Sequence, residues 1–92
     1  MTEVYVRSFA KFRDLFGAEK KIDAPHASTV YDCLILFAGQ VPAAQTGLFE
    51  NGALKGHVVF MYNGERIDAE DASEITVEEG DEIVLYPPVS GG

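Results

Sequence analysis

Few side chains in this sequence could do covalent or metal chemistry, and their spacing works against most of them. Cys33 is the single cysteine, which excludes an internal disulfide and cannot by itself hold an iron–sulfur cluster or a structural zinc. As a nucleophile it would need a base, and neither His26 nor His57 lies near it in sequence. It reads instead as a small apolar residue near the start of a helix. The two histidines are 31 residues apart with no second nitrogen or sulfur donor at metal-ligand spacing, so no metal site is expected. Glu78, Glu79, Asp81 and Glu82 are dense enough to suggest acid–base or calcium chemistry. Their spacing fits no calcium loop, and Gly80 among them marks an exposed turn. The stretches "NGALKG" and "YNGERI" contain glycines without a phosphate-binding pattern. On this reading the chain is not an enzyme on its own.

The remaining candidate is the last stretch, "PPVSGG". Pro87 and Pro88 fix two φ angles and cannot continue a sheet ladder, so the chain should leave the fold extended. Six residues at about 3.3–3.6 Å each reach roughly 20 Å. Val89 offers one apolar handle and Ser90 a small polar one, and Gly91 and Gly92 then clear every side chain from around a terminal carboxylate. A carboxylate resists nucleophiles because its oxide is a poor leaving group. Adenylation converts that oxide into a phosphate-linked leaving group, with magnesium neutralising the developing charge. A Cβ beside the carbonyl would obstruct the approach, and glycine has none.

Ninety-two residues with 47% hydrophobic and 24% charged side chains allow one globular domain with a modest core. That is too small to enclose a large substrate or a dinucleotide in a deep cleft. A net charge of -8 disfavours nucleic-acid and anionic-membrane partners and suits proteins that present basic surface. No signal-like start and no apolar run of membrane length is visible, so the expected compartment is the cytoplasm.

The elements that would carry the tail follow from local patterns. "TEVYVRSF" alternates as a strand with Val4 and Val6 on one face and Tyr5 and Arg7 on the other. In "FAKFRDLFG" the period changes, placing Phe9, Phe12, Leu15 and Phe16 on one side of a short helix closed by Gly17. "AEKKIDA" returns as a second strand with Ile22 inward. "STVYDCLILFAGQV" gives the strongest helix. Thr29 and Asp32 stand at capping-box spacing, Val30, Leu34, Phe37, Ala38 and Val41 form a sheet-facing stripe, and Gly39 and Pro42 bring the helix to a close. Residues 43–56 read as an irregular loop pinned by Leu48, Phe49 and Leu54. "HVVFMYNGERI" reads as a hairpin about Asn63-Gly64, a second turn is expected at Gly80-Asp81, and "EIVLYP" is the closing strand. The pattern predicts an α+β domain over residues 1–86, a sheet of four to five strands on one main helix, and a flexible extended tail over 87–92.

Taken together, "GDEIVLYPPVSGG", "STVYDCL" and "VVFMYNGERI" resemble the ubiquitin-like sulfur carriers, which include the small subunit of molybdopterin synthase (MoaD) and the small archaeal modifier proteins. The resemblance spans the whole chain in element order and is sharpest in the last dozen residues. It implies the β-grasp fold, a mixed sheet around one long helix with the first and last strands parallel neighbours. It also implies that a ubiquitin-activating-type enzyme, using ATP and magnesium, adenylates Gly92, and that a sulfur donor protein supplies a persulfide that displaces AMP to leave a thiocarboxylate. That sulfur would pass to a pterin precursor in the large subunit of molybdopterin synthase, within molybdenum cofactor biosynthesis. In the modifier branch Gly92 would instead form an isopeptide bond with a target lysine. Carried over by position, Gly92 reacts and Gly91 gives clearance, while Ser90, Val89, Pro88 and Pro87 form the threaded segment. Tyr86 stands where the family has an aromatic near the partner surface. Arg66 stands where the hairpin contact is usually apolar, so the docking surface carries over poorly on that edge. The third reading is a non-covalent β-grasp interaction module with an inert tail.

Overall fold

The computed structural model describes residues 1–87. Strand β1 (Thr2–Ser8) buries Val4 and Val6 on one face and leaves Tyr5 and Arg7 half-buried on the other, the two-residue period of a strand with one face on a core. It pairs antiparallel with β2 (Glu19–Ala24), where Ile22 and Ala24 point inward. Between them, helix α1 (Lys11–Phe16) buries Phe12 and Phe16, one helical turn apart. Leu15, expected on that face, is 49% exposed, because a six-residue helix has room for one i,i+4 inward pair and Leu15 lies off its line.

Helix α2 (Val30–Gln40) starts as its capping box requires. The Asp32 amide donates to Thr29 Oγ1 at 3.1 Å, and the Thr29 amide donates to Asp32 Oδ2 at 3.0 Å. Its inward face carries Val30, Cys33, Leu34, Phe37 and Ala38, all buried.

The stretch expected to be an irregular loop is more ordered than its glycines suggest. Helix α3 (Ala43–Leu48) follows Pro42 and buries Ala44 and Leu48, and a small hairpin, β3 (Phe49–Glu50) and β4 (Ala53–Leu54), follows. Proline is harmless at a helix start, where the missing N–H has no intrahelical partner. Gly47, which breaks the helical pattern, is there for packing: a Cβ on it would stand 2.7 Å from Phe16 Cζ. Leu48, Phe49 and Leu54 do pin the segment to the core.

Strands β5 (Val59–Tyr62) and β6 (Glu65–Ile67) form the expected hairpin, with Asn63 at φ 49° and Gly64 at φ 87°, the left-handed pair of a two-residue turn. A 3-10 helix (Ala69–Ser73) and the turn at Gly80-Asp81 lead into β7 (Glu82–Tyr86). The main sheet is ordered β2-β1-β7-β5-β6, with β7 parallel to β1 and antiparallel to β5. The last strand therefore occupies the middle of the sheet. Val4, Val6, Phe60, Ile83 and Leu85 meet α2 on one face, and the other face is open. Among the described residues no helix is long and apolar enough to cross a membrane. Pro87 is half-buried at the end of β7. Pro88, Val89, Ser90, Gly91 and Gly92 lie outside the described residues, and with them the extended tail expected there.

Candidate functional site: the end of the central strand

β7 is held on both sides, so its C-terminal end, Tyr86-Pro87, lies in the middle of the sheet. What surrounds that end is set by strand alternation. Ile83 and Leu85 point to the core, which puts Val84 and Tyr86 on the open face. Tyr86 stands across from Val59, and Val84 across from Met61. Tyr86 is 39% exposed, whereas Val84, shielded by its neighbours on both sides, is buried.

Phe9 completes this surface. Its amide donates to the Leu85 carbonyl at 3.1 Å, extending the β1–β7 pairing by one residue. Its ring stacks on Tyr86 with centroids 5.2 Å apart and planes 13° from parallel. Arg7 Cζ lies 5.3 Å from the centroid of Phe9, a cation–π distance. Arg7 is itself steered by Glu82 at 3.4 Å and Glu19 at 3.7 Å. The chain then turns sharply at Ala10, with φ 54° and ψ -133°, and Phe12 N closes the turn onto Phe9 O at 3.1 Å. That backbone region is left almost entirely to glycine, so an alanine there stores about 1–3 kcal/mol of strain. The turn leaves Phe9 at the strand's end, facing outward.

Phe9 was expected on the inner side of the short helix with Phe12 and Phe16, and the structure corrects this. The signal was present in the sequence: carrying the alternation of Tyr5 and Arg7 forward two residues puts Phe9 on the open face. Met61 pairs with Arg66, which is exposed at the hairpin edge of the same face. The surface therefore runs from an apolar aromatic centre to a cationic rim.

The other chemistry-bearing residues are placed elsewhere. Cys33 is fully buried, and burial, aided by the charges of Asp32 and Asp81, pushes its thiol up to about 11. It is a thiol and not a thiolate at neutral pH. His26 and His57 are exposed, and among the described residues no three His, Cys, Asp or Glu side chains gather around a point that could hold a metal.

The acidic turn is a fastener at the far end of β7. Asp81 accepts from the Tyr62 hydroxyl, from Asn63 Nδ2 at 3.0 Å and from the Glu78 amide at 2.7 Å. Burial pushes the Asp81 carboxyl up, but these three hydrogen bonds together outweigh it and leave the carboxyl below its ordinary range. Asn63 also accepts from the Glu82 amide at 2.9 Å, and Glu79 accepts from the Glu3 amide at 3.0 Å. This end is locked, and the opposite end carries Tyr86 and Pro87.

A five-stranded mixed sheet around one long helix, with parallel first and last strands and the last strand at its centre, is the ubiquitin-like β-grasp. Within that class the chain belongs to the ThiS family, whose profile matches residues 6–92. Small archaeal modifier protein 3 of Haloferax volcanii is 30% identical over 98% of this chain and 99% of its own length. The molybdopterin synthase sulfur carrier subunit of Drosophila erecta is 30% identical over 100% of this chain and 93% of its own. The crystal structure of SAMP1 from Haloferax volcanii superposes with a TM-score of 0.87 at 32% identity, covering 98% of this chain and 99% of that one. The relatives thus carry two kinds of name, modifier and sulfur carrier.

Proposed function

We propose that this protein is a sulfur carrier whose reacting group is the carboxylate of Gly92. A ubiquitin-activating-type enzyme joins that carboxylate to AMP, consuming ATP with magnesium and releasing pyrophosphate. The terminal sulfur of a protein persulfide then attacks the carbonyl carbon and expels AMP. A second thiol cleaves the resulting acyl disulfide, which leaves a thiocarboxylate on Gly92 and a disulfide on the donor side. The thiocarboxylate gives its sulfur to a pterin precursor in the large subunit of molybdopterin synthase. In these steps this chain supplies the carboxylate, the clearance of Gly91, the threaded residues Pro87, Pro88, Val89 and Ser90, and a docking face. ATP and magnesium belong to the activating partner.

The observation that carries the reading is the C-terminal end of β7 beside the outward-facing Phe9–Tyr86 pair. Half-exposed aromatics in an apolar setting are what a protein partner would grip. The first chemical step also serves a second reading. Because a relative named a modifier matches over nearly the full length of both chains, Gly92 joined to a target lysine through an isopeptide bond is the alternative product. Intact mass after expression with the activating enzyme and a sulfur source separates the readings. A gain of about 16 Da marks oxygen replaced by sulfur, the covalent intermediate of the carrier. Higher-mass adducts with a Gly-Gly remnant on lysine favour the modifier. Neither product would overturn both and leave an interaction module.

A further inference from the structure

Beside the end of β7, on the α1 side of Pro87, lies a groove of about 400 Å³ whose lining includes Lys11, Phe12, Leu15, Lys55, His57 and Pro87. Its charge runs against the molecule. The chain has fifteen acidic residues against seven basic ones, yet among the described residues no carboxylate lines this groove. Elsewhere Glu3 pairs with Lys21, and Glu19 and Glu82 pair with Arg7, whereas Arg13, Lys20 and Arg66 have no such partner among the described residues. Among the described residues neither Lys11 nor Lys55 has such a partner. The grooves flanking α2 and the one beside β4 carry neither lysine nor arginine in their linings. The floor here is apolar: Phe12 is buried below, and Leu15, the helix residue that misses the core, is half exposed.

Two ammonium groups around an apolar floor suit an extended peptide with carboxylates flanking a leucine or methionine. We infer that this groove receives an acidic segment of the protein that takes up residues 88–92. The inference rests on the proposed uptake of the tail, since a partner closing on that segment passes directly over Pro87. The overall charge of -8 makes most of the surface suited to basic partners. A carboxylate-bearing segment placed here would therefore favour one direction for the partner, because this lining carries two lysines and no carboxylate.

The test is a titration of the isotope-labelled full chain, followed by NMR, with the peptide Ac-Glu-Glu-Leu-Glu-Glu-NH2 and its glutamine counterpart. The glutamate peptide should shift the resonances of Lys11, Leu15, Lys55 and His57, and its binding should weaken several-fold between about 50 and about 500 mM NaCl. The double variant Lys11→Glu, Lys55→Glu should weaken it by about tenfold or more, two partly exposed ion pairs turned repulsive. Lys11 is exposed and Lys55 half-buried, and the variant's undiminished spectral dispersion is the folding control. Shifts spread equally over Arg13, Lys20 and Arg66 would mean unspecific attraction and overturn the inference, as would equal binding of the glutamine peptide. Tighter binding after removal of residues 88–92 would make the chain's own tail the occupant, which also overturns it. The titration involves no reaction at Gly92, so failure to acquire sulfur would sink the proposed function and leave this result standing.

Discussion

Replacing Gly47 with alanine should destabilise the fold, although the same replacement usually strengthens a helix. Two glycines lie within helices, Gly39 in α2 and Gly47 in α3. Helix propensity gives alanine an advantage of about 0.5–1 kcal/mol at either position. Their surroundings differ. A Cβ on Gly39 meets nothing within 4 Å, whereas one on Gly47 would stand 2.7 Å from Phe16 Cζ and 3.2 Å from Phe16 Cε1. The Phe16 ring has little freedom to retreat. It is stacked on Phe12 at 4.7 Å and meets Phe37 edge-on at 5.9 Å, and Phe37 is 1% exposed. Overpacking of this kind costs about 1–3 kcal/mol. Gly39→Ala should therefore gain about 0.5 kcal/mol or more, and Gly47→Ala should lose up to about 2 kcal/mol. Since propensity contributes equally to both, the gap of about 1–3 kcal/mol is the clash itself. Urea unfolding followed by far-ultraviolet circular dichroism reads it, with unchanged m-values as the check on two-state behaviour. In thermal scans the two variants should move in opposite directions, at about 4–8 °C per kcal/mol. Equal stabilisation of both would refute the packing of α1 against α3. Adding Phe16→Leu to Gly47→Ala should recover part of the loss, a coupling expected only of residues in contact.

Asp81→Asn removes the charge and one of the two oxygens that accept from Tyr62, Asn63 and the Glu78 amide and should cost about 1–3 kcal/mol at neutral pH. Because the native carboxyl sits below its unfolded value, its contribution is complete above the ordinary range near 3.8 and is lost as pH falls through the native pKa. The variant's acid limb should accordingly be flatter, and unfolding titrations of both proteins from neutral pH downward check it. Tyr86→Ser removes the exposed half of the aromatic pair. It should cost only about 1 kcal/mol of stability while weakening capture by the activating enzyme, seen as a higher KM for sulfur loading; an unchanged KM would remove Tyr86 from the docking face. Deleting Gly91 and Gly92 should leave Tm nearly unchanged, since neither glycine has a side chain to bury in the core, and should abolish the mass gain. A truncated chain that unfolds would assign those residues a structural role.

Much of the fold is written in nearest-neighbour chemistry. The alternation of Val4 and Val6, the Thr29–Asp32 capping box and the Asn63-Gly64 turn each depend on residues within a few positions of one another, so the sequence states them directly. The same holds for the sheet-facing stripe from Val30 to Ala38 and for the inward Ile83 and Leu85. Phe9 was legible too, but only to a reader who let the strand period run past Ser8.

What the tertiary structure alone decided involves partners distant along the chain, where loop closure and packing choose among many locally acceptable arrangements. It set β7 between β1 and β5, so that its C-terminal end lies at the centre of the sheet. It placed Asp81 on Tyr62, and it brought Lys11 and Lys55 to one groove beside Pro87. Gly47 reads as a helix breaker in isolation, and only the ring of Phe16 explains it. The sequence by itself determined the periodic elements and the clearance of side chains at Gly91 and Gly92. Which surfaces flank the end of β7 was decided by the fold, because no local pattern encodes which remote side chains close packing will bring together.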